Sequence, residues 1–208
     1  MKSVKQILLL ASCLFGITAS AQFGMGGMAM QFSKCKIVSG DPKVLKGKTI
    51  KVTFVYDGTR VGKYKDENDY IEKKRTAYNE KEPGRGDTWA AAWKADRKNR
   101  FEPAFFTKWN EMGKETGTLA SADKGEYNLE VKTLYTDPGF NIGITREPAT
   151  INTTCTFTDA AGKEVAVITV NNVPGQEFGG FDFDTGTRLS ECYEKCAKDL
   201  YKTIAKKF

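Results

Sequence analysis

Apolar and polar residues alternate along Thr49 to Tyr56. Ile50, Val52, Phe54 and Tyr56 fall on one side of the chain, with Lys51 and Thr53 opposite. A period of two is the pattern of a strand with one buried face, and this one ends at the Asp57-Gly58 turn pair. The period then changes. Across Glu67 to Lys81, Tyr70, Ile71, Ala77 and Tyr78 occupy one side of an otherwise polar stretch, which predicts a surface helix. Glu82-Pro83-Gly84 interrupts it. Asp87 fits as the cap of a second helix reaching about Asn99. Pro103 fits the first turn of a third helix, or a kink in one longer helix. There Phe101, Phe105, Trp109 and Met112 recur at helical spacing and are expected to face a sheet, with Gly113 and Gly117 as stop signals.

Alternation returns at Tyr127, Leu129 and Val131, and Asp137-Pro138-Gly139 turns the chain. Ile151, Thr153, Cys155 and Phe157 share a face, with Asn152, Thr154 and Thr156 on the other. Asp159 to Gly162 reads as a hairpin, and Val165 to Val170 is apolar on both sides, like an inner strand. A glycine-rich stretch, Gly175 to Gly186, leads to a closing helix over Thr187 to Lys206 with Leu189, Cys192, Cys196, Leu200 and Ile204 along one stripe. The predicted fold is α+β: a mostly antiparallel sheet of about four strands, helices packed on one face, and a closing C-terminal helix. No internal repeat is evident.

The first residues change the picture of where the protein works. Lys2 and Lys5 precede an apolar run, Ile7 to Ile17, and then Ala19-Ser20-Ala21 before Gln22. That order predicts a secretory signal peptide over residues 1–21. Leu10-Ala11-Ser12-Cys13 offers a competing lipid-anchor site, but the apolar run continues past Cys13 and a cut there leaves a very short signal. Cleavage of 21 of the 208 residues leaves 187. A chain of that size buries roughly 70% of its unfolded surface and folds without a metal. Residues 22–40, opening "FGMGGMAM", read as a flexible Gly/Met-rich leader, and 41–208 as a single domain.

The formal charge of +6 falls to +4 without Lys2 and Lys5. Both signs are interspersed, with no tract suited to nucleic acid, and no later segment is long and apolar enough to cross a membrane. Histidine is absent. That removes the commonest general base and metal ligand, and every Ser-His or Cys-His arrangement.

Four cysteines lie beyond the signal peptide: Cys35, Cys155, Cys192 and Cys196. An even number in an exported chain predicts structural disulfides. Cys192 and Cys196 should not bond each other within a helix, where Cβ atoms four residues apart are about 5–6 Å apart and a disulfide wants about 3.5–4.5 Å. Each then needs Cys35 or Cys155, in a pairing the residues leave open. Two such bridges would pin the last helix, at roughly 2–4 kcal/mol each. Buried free thiols are the alternative. A zinc site is disfavoured because C-x3-C with lone distant partners is unlike known ribbons or fingers, and C-x3-C is not the redox C-x-x-C. No metal or other cofactor is expected.

Other patterns carry candidate chemistry. Arg85-Gly86-Asp87 reads as an adhesive tripeptide or as a turn preceding a helix. Trp89 and Trp93 lie one helical turn apart, followed by Asp96, Arg97 and Arg100: core packing, or an aromatic patch for a partner or glycan. Asp184-Thr185-Gly186 matches one half of an aspartic-protease pair or a helix cap. Asp182-Phe183-Asp184 lacks the distal acid of a calcium loop. Met25, Met28 and Met30 are soft ligands in a floppy leader. Asn152-Thr153-Thr154 is a glycosylation sequon.

"EYNLEVKTLY", "INTTCTFTDAAGKEVAVITV" and "TRLSECYEKCAKDLYKTIAKKF" follow one another as strand, D-x-x-G-K hairpin and amphipathic helix. Over about Thr49 to Lys206 this order resembles the periplasmic α/β domains of bacterial envelope auxiliary lipoproteins, of the ABC-transport auxiliary and lipopolysaccharide-assembly types. The resemblance implies a non-enzymatic domain with helices on one sheet face and contacts to envelope proteins or lipids. The expectation is an exported, non-catalytic envelope or secreted interaction domain with an envelope or extracellular protein partner. An adhesin or glycan binder using Arg85, Gly86 and Asp87 or Trp89 and Trp93 is the alternative.

Overall fold

The computed structural model describes residues 32–141, 145–175 and 184–208. Residues 1–31, with Cys13, Met25, Met28 and Met30, and the Asp182-Phe183 pair lie outside the described residues. Strand β1 is Lys34–Gly40, followed by a short 3-10 turn at Pro42–Leu45, β2 at Thr49–Val55 and β3 at Arg60–Val61. Helices α1 (Glu67–Asn79) and α2 (Arg85–Asp96) come next, then a π-helical turn (Arg97–Phe101) that runs into α3 (Glu102–Gly113). The rest is β4 (Leu119–Ser121), β5 (Tyr127–Asp137), β6 (Phe140–Asn141), β7 (Arg146–Glu147), β8 (Thr150–Asp159), β9 (Glu164–Pro174) and α4 (Thr185–Ala205).

Helices and sheet combine as α+β, but the sheet is larger and differently wired than the alternation predicts. It has seven strands in the order β1-β9-β8-β5-β2-β4, with β3 also paired to β5. β5, β8, β9 and β1 form an antiparallel run. β2 lies parallel to β5 and to β4, and β3 parallel to β5. The sheet is therefore mixed, not four antiparallel strands. Parallel neighbours need a long crossover, and the α1–α2–α3 segment supplies it between β2 and β5. β6 and β7 pair separately.

The boundary at residue 41 also moves. Lys34–Gly40 is the edge strand β1, with Cys35 opposite Val170 and Ile37 opposite Ile168. The ordered sheet thus begins inside the stretch read as a leader. Only Cys35 and Ile37 join the core from β1, so its apolar pattern is too thin to announce a strand.

One sheet face is covered. Ile50, Val52, Leu129, Val131, Ile151, Cys155, Phe157, Ile168 and Val170 are buried, and α3 and α4 lie over them through Phe105, Trp109, Leu189, Cys192, Cys196, Leu200 and Ile204. Trp109 packs against Phe105, Phe157 and Tyr201 and donates its indole N–H to the Thr118 carbonyl at 3.2 Å. The predicted stripe of α4 is buried along its full length, as its apolar spacing requires.

α2, the π turn and α3 run on as one continuous helical rod. Pro103 sits in the first turn of α3. It has no N–H for the carbonyl four residues back, and its ring crowds that carbonyl. The π turn at Arg97–Phe101 lies where that conflict falls, and widening the backbone there relieves it. The helix start differs from expectation. α2 begins at Arg85 behind Gly84, which adopts φ 84°, and Asp87 lies inside the first turn. A left-handed Gly84 turns the chain sharply enough to start the helix three residues earlier than a cap at Asp87 allows.

Candidate functional site

The π turn shapes one edge of a cleft of about 370 Å³, lined by Tyr56, Asp57, Gly58, Thr59, Asp66, Glu67, Asn68, Lys94 and Arg97. Three pieces of chain meet there. The first is the end of β2, where Gly58 takes φ 74°. That turn sets Thr59 Oγ1 2.7 Å from the Tyr56 carbonyl oxygen and 2.9 Å from that of Thr133. The second is the start of α1, capped by Asp66 accepting from Asn68 N at 2.7 Å. The third is the α2–π rod, which carries Trp93, Lys94 and Arg97.

Glu67 ties the second piece to the third. It accepts from Trp93 Nε1 at 2.8 Å and pairs with the Arg97 guanidinium. That guanidinium also lies 4.5 Å over the Tyr56 ring. Tyr56 packs edgewise on Tyr193, which stacks on Phe101 at 5.1 Å. The Tyr56 hydroxyl is buried and has no hydrogen-bond partner among the described residues. Burial above all, then the neighbouring Tyr193 and Glu102, push this phenol well above its ordinary range, against the opposing pull of Arg97. It therefore remains protonated at neutral pH rather than acting as a base. Asp57 and Lys94 stand at the mouth. The interior charges of Glu67 and Arg97 neutralise one another, so the cleft presents donors and acceptors in a set geometry.

The four predicted cysteines are free thiols in this structure, with Cys155, Cys192 and Cys196 buried and Cys35 half-buried. They are not arranged as two pairs. The neighbouring Cys196 and burial together raise the Cys155 thiol well above the ordinary value. Thr153 Oγ1 lies 3.4 Å from the Cys196 sulfur and 3.8 Å from that of Cys155. Burial above all pushes the Cys35 thiol up to about 11, against the opposing pull of Thr203. Cys192 Sγ contacts the Arg188 carbonyl at 3.5 Å. Among the described residues no group of three or more ligating side chains is placed to hold a metal.

Arg85-Gly86-Asp87 is the first turn of α2. Gly86 is buried, and its N–H donates to Asn79 Oδ1 at 2.7 Å. Arg85 sits 5.4 Å over the Tyr78 ring, and Asp87 accepts from Asn79 Nδ2 at 3.3 Å. Trp89 and Trp93 join Tyr70 and Tyr78 in an aromatic cluster between α1 and α2. Trp93 is 7% exposed, while Trp89 is half-buried at the edge of the cluster.

Asp184-Thr185-Gly186 caps α4: Asp184 accepts from Gly186 N at 2.8 Å and pairs with Arg100, which also binds Asp96 at 3.1 Å. Of the sequon, Asn152 Oδ1 accepts from Asn172 N at 2.7 Å, supporting the left-handed Asn172 at φ 54°.

Sequence reasoning placed Tyr56 in a strand and Arg97 beside the tryptophans without joining them to Glu67. The available signal was Arg97 itself, a cation at helical spacing between Trp93 and Phe101 on an inward stripe, which needs an anion from elsewhere.

No family model matches the sequence, and no curated protein does. Nine solved chains match by structure. A point variant of the PelC dodecamer from Paraburkholderia phytofirmans matches at TM-score 0.38 and 11% identity, covering 80% of this chain and 95% of that one. A second PelC dodecamer crystal from the same organism matches at 0.37 and 11%, covering 85% and 96%. A likeness of that size assigns neither family nor activity. No helix among the described residues is long and apolar enough to cross a membrane.

Proposed function

We propose that this chain is an exported, non-catalytic accessory domain of the bacterial cell envelope that binds an envelope or extracellular protein at the Tyr56 cleft. The signal-peptide pattern over residues 1–21 and the resemblance to periplasmic auxiliary domains support the location. The observation that carries the binding role is the cleft itself. Glu67 and Arg97 neutralise each other inside it, and the Tyr56 phenol keeps its proton. Asp57 and Lys94 stand ready at the mouth for a partner's polar segment.

The test is site-specific photo-cross-linking. The full chain, expressed with its leader, carries a photo-reactive residue in place of Lys94 and is irradiated in intact cells, which are then fractionated. The expected result is one discrete adduct with a protein of the envelope or extracellular fraction. Asp57→Lys in the same background should abolish it, while Glu130→Lys, on the uncovered sheet face, should leave it. A chain retained in the cytoplasm, or an adduct indifferent to Asp57→Lys, refutes the proposal.

A further inference from the structure

We propose that Cys155 and Cys196 form a single disulfide that pins α4 to β8, while Cys35 and Cys192 remain thiols. The structure divides the four cysteines unequally. Cys155 and Cys196 meet across the sheet–helix interface, their sulfurs 3.8 and 3.4 Å from the one Thr153 hydroxyl.

The other two are placed less well. Cys35 lies on the edge strand β1, opposite Val170, with β9 between it and the strand β8 that carries Cys155; its thiol feels Thr203 as well as Cys196, and Thr203 is about two helical turns beyond Cys196. Cys192, one turn before Cys196, packs under Gly175, where an added Cβ would lie 2.9 Å from the Cys192 sulfur. It cannot reach Cys196 within the helix, because neighbours four apart hold their Cβ atoms about 5–6 Å apart against about 3.5–4.5 Å in a disulfide. One bridge follows from this packing where the even cysteine count alone suggests two.

The chemistry balances as two thiol–disulfide exchanges with a disulfide donor. One protein thiolate attacks a sulfur of oxidised glutathione, breaking its S–S bond and releasing one glutathione thiolate. The second protein thiolate attacks the protein sulfur of that mixed disulfide. The Cys155–Cys196 bond closes and the second glutathione leaves. The two cysteines lose two electrons and two protons, and the donor is reduced to two thiols. In an exported setting the donor is the disulfide of a thiol–disulfide oxidoreductase. Both sulfurs are fully buried, so the exchange takes place while α4 is still docking, and the finished bond is shielded from reductant.

The test is a disulfide map. The full chain with Cys13→Ser is refolded in reduced and oxidised glutathione, alkylated, and digested without reductant. The expected result is one linked peptide pair joining Cys155 to Cys196, with Cys35 and Cys192 alkylated. A Cys35→Ser/Cys192→Ser variant should still lose the mass of two hydrogens on oxidation, and Cys155→Ser should not. Four alkylated thiols, or a bridge that includes Cys35 or Cys192, overturns the proposal.

Discussion

Gly86→Ala sets two physical effects against each other at one helical position. Gly86 lies in the first turn of α2, where α1 crosses closely. A Cβ built on it falls 2.0 Å from the Arg75 carbonyl oxygen and 2.9 Å from the Arg75 Cα. Ordinary contact begins at 3.4 Å, so the two helices must separate by about 1.4 Å at this point. Helix propensity favours alanine over glycine by about 1 kcal/mol. Forcing a methyl into a packed interface costs about 1–3 kcal/mol. Separation also stretches the 2.7 Å bond from Gly86 N to Asn79 Oδ1, worth about 1 kcal/mol. It further loosens the Tyr70–Trp89, Tyr70–Trp93 and Tyr78–Trp89 contacts, each worth about 0.5–1.5 kcal/mol. The steric side wins, and the expected net loss is about 2 kcal/mol. For a domain of this size that lowers Tm by about 4–8 °C. Calorimetry with urea unfolding followed by tryptophan fluorescence reads it. Ala91→Gly, at an exposed position of the same helix, is the control and should cost only about 1 kcal/mol. A Gly86→Ala protein as stable as the parent, or more stable, would refute the close-packed reading of this turn.

Trp109→Ala should cost about 3–5 kcal/mol, because the side chain is fully buried between α3 and the sheet; a urea midpoint within error of the parent would contradict that placement. Tyr56→Phe should raise stability by about 1 kcal/mol, since it removes a buried hydroxyl with no partner among the described residues; a loss on thermal unfolding would show that the hydroxyl is satisfied. Burial works to raise the Asp184 carboxyl, but hydrogen bonds from Arg100 and the Gly186 N–H outweigh it and hold the group below its ordinary value. A depressed carboxylate contributes stability above the unfolded value of about 4 and loses it as pH falls through the lower folded value. Asp184→Asn should therefore be less stable than the parent at pH 7, with the two unfolding curves converging as the pH falls below about 4. A difference that stays constant across that range sinks the assignment.

Much of the fold could be read along the chain wherever one element shows a full period of burial. The stripe Leu189, Cys192, Cys196, Leu200 and Ile204, the alternation of β8, and the turns at Asp57-Gly58 and Asp159 to Gly162 are local patterns, and the structure keeps them. β1, β3 and β4 were not legible, because an edge strand contributing two core residues, or a strand of two or three residues, is too short to display a period. The pairing of β2 with β5 was hidden for another reason: residues about 75 positions apart, such as Val52 and Leu129, carry no mark of parallel partnership.

The candidate site divides the same way. Pro103 already predicts a break in the helix, and the absence of histidine already narrows the chemistry, because both depend on what a residue is. That Glu67 meets Arg97 over Tyr56, that Cys155 and Cys196 share the Thr153 hydroxyl, and that Arg85-Gly86-Asp87 is a helix start packed against Arg75 depend on which distant segments touch. Side-chain periodicity encodes which face of an element is buried. Only the packing of whole elements, through helix crossings and strand order, decides what that face is buried against.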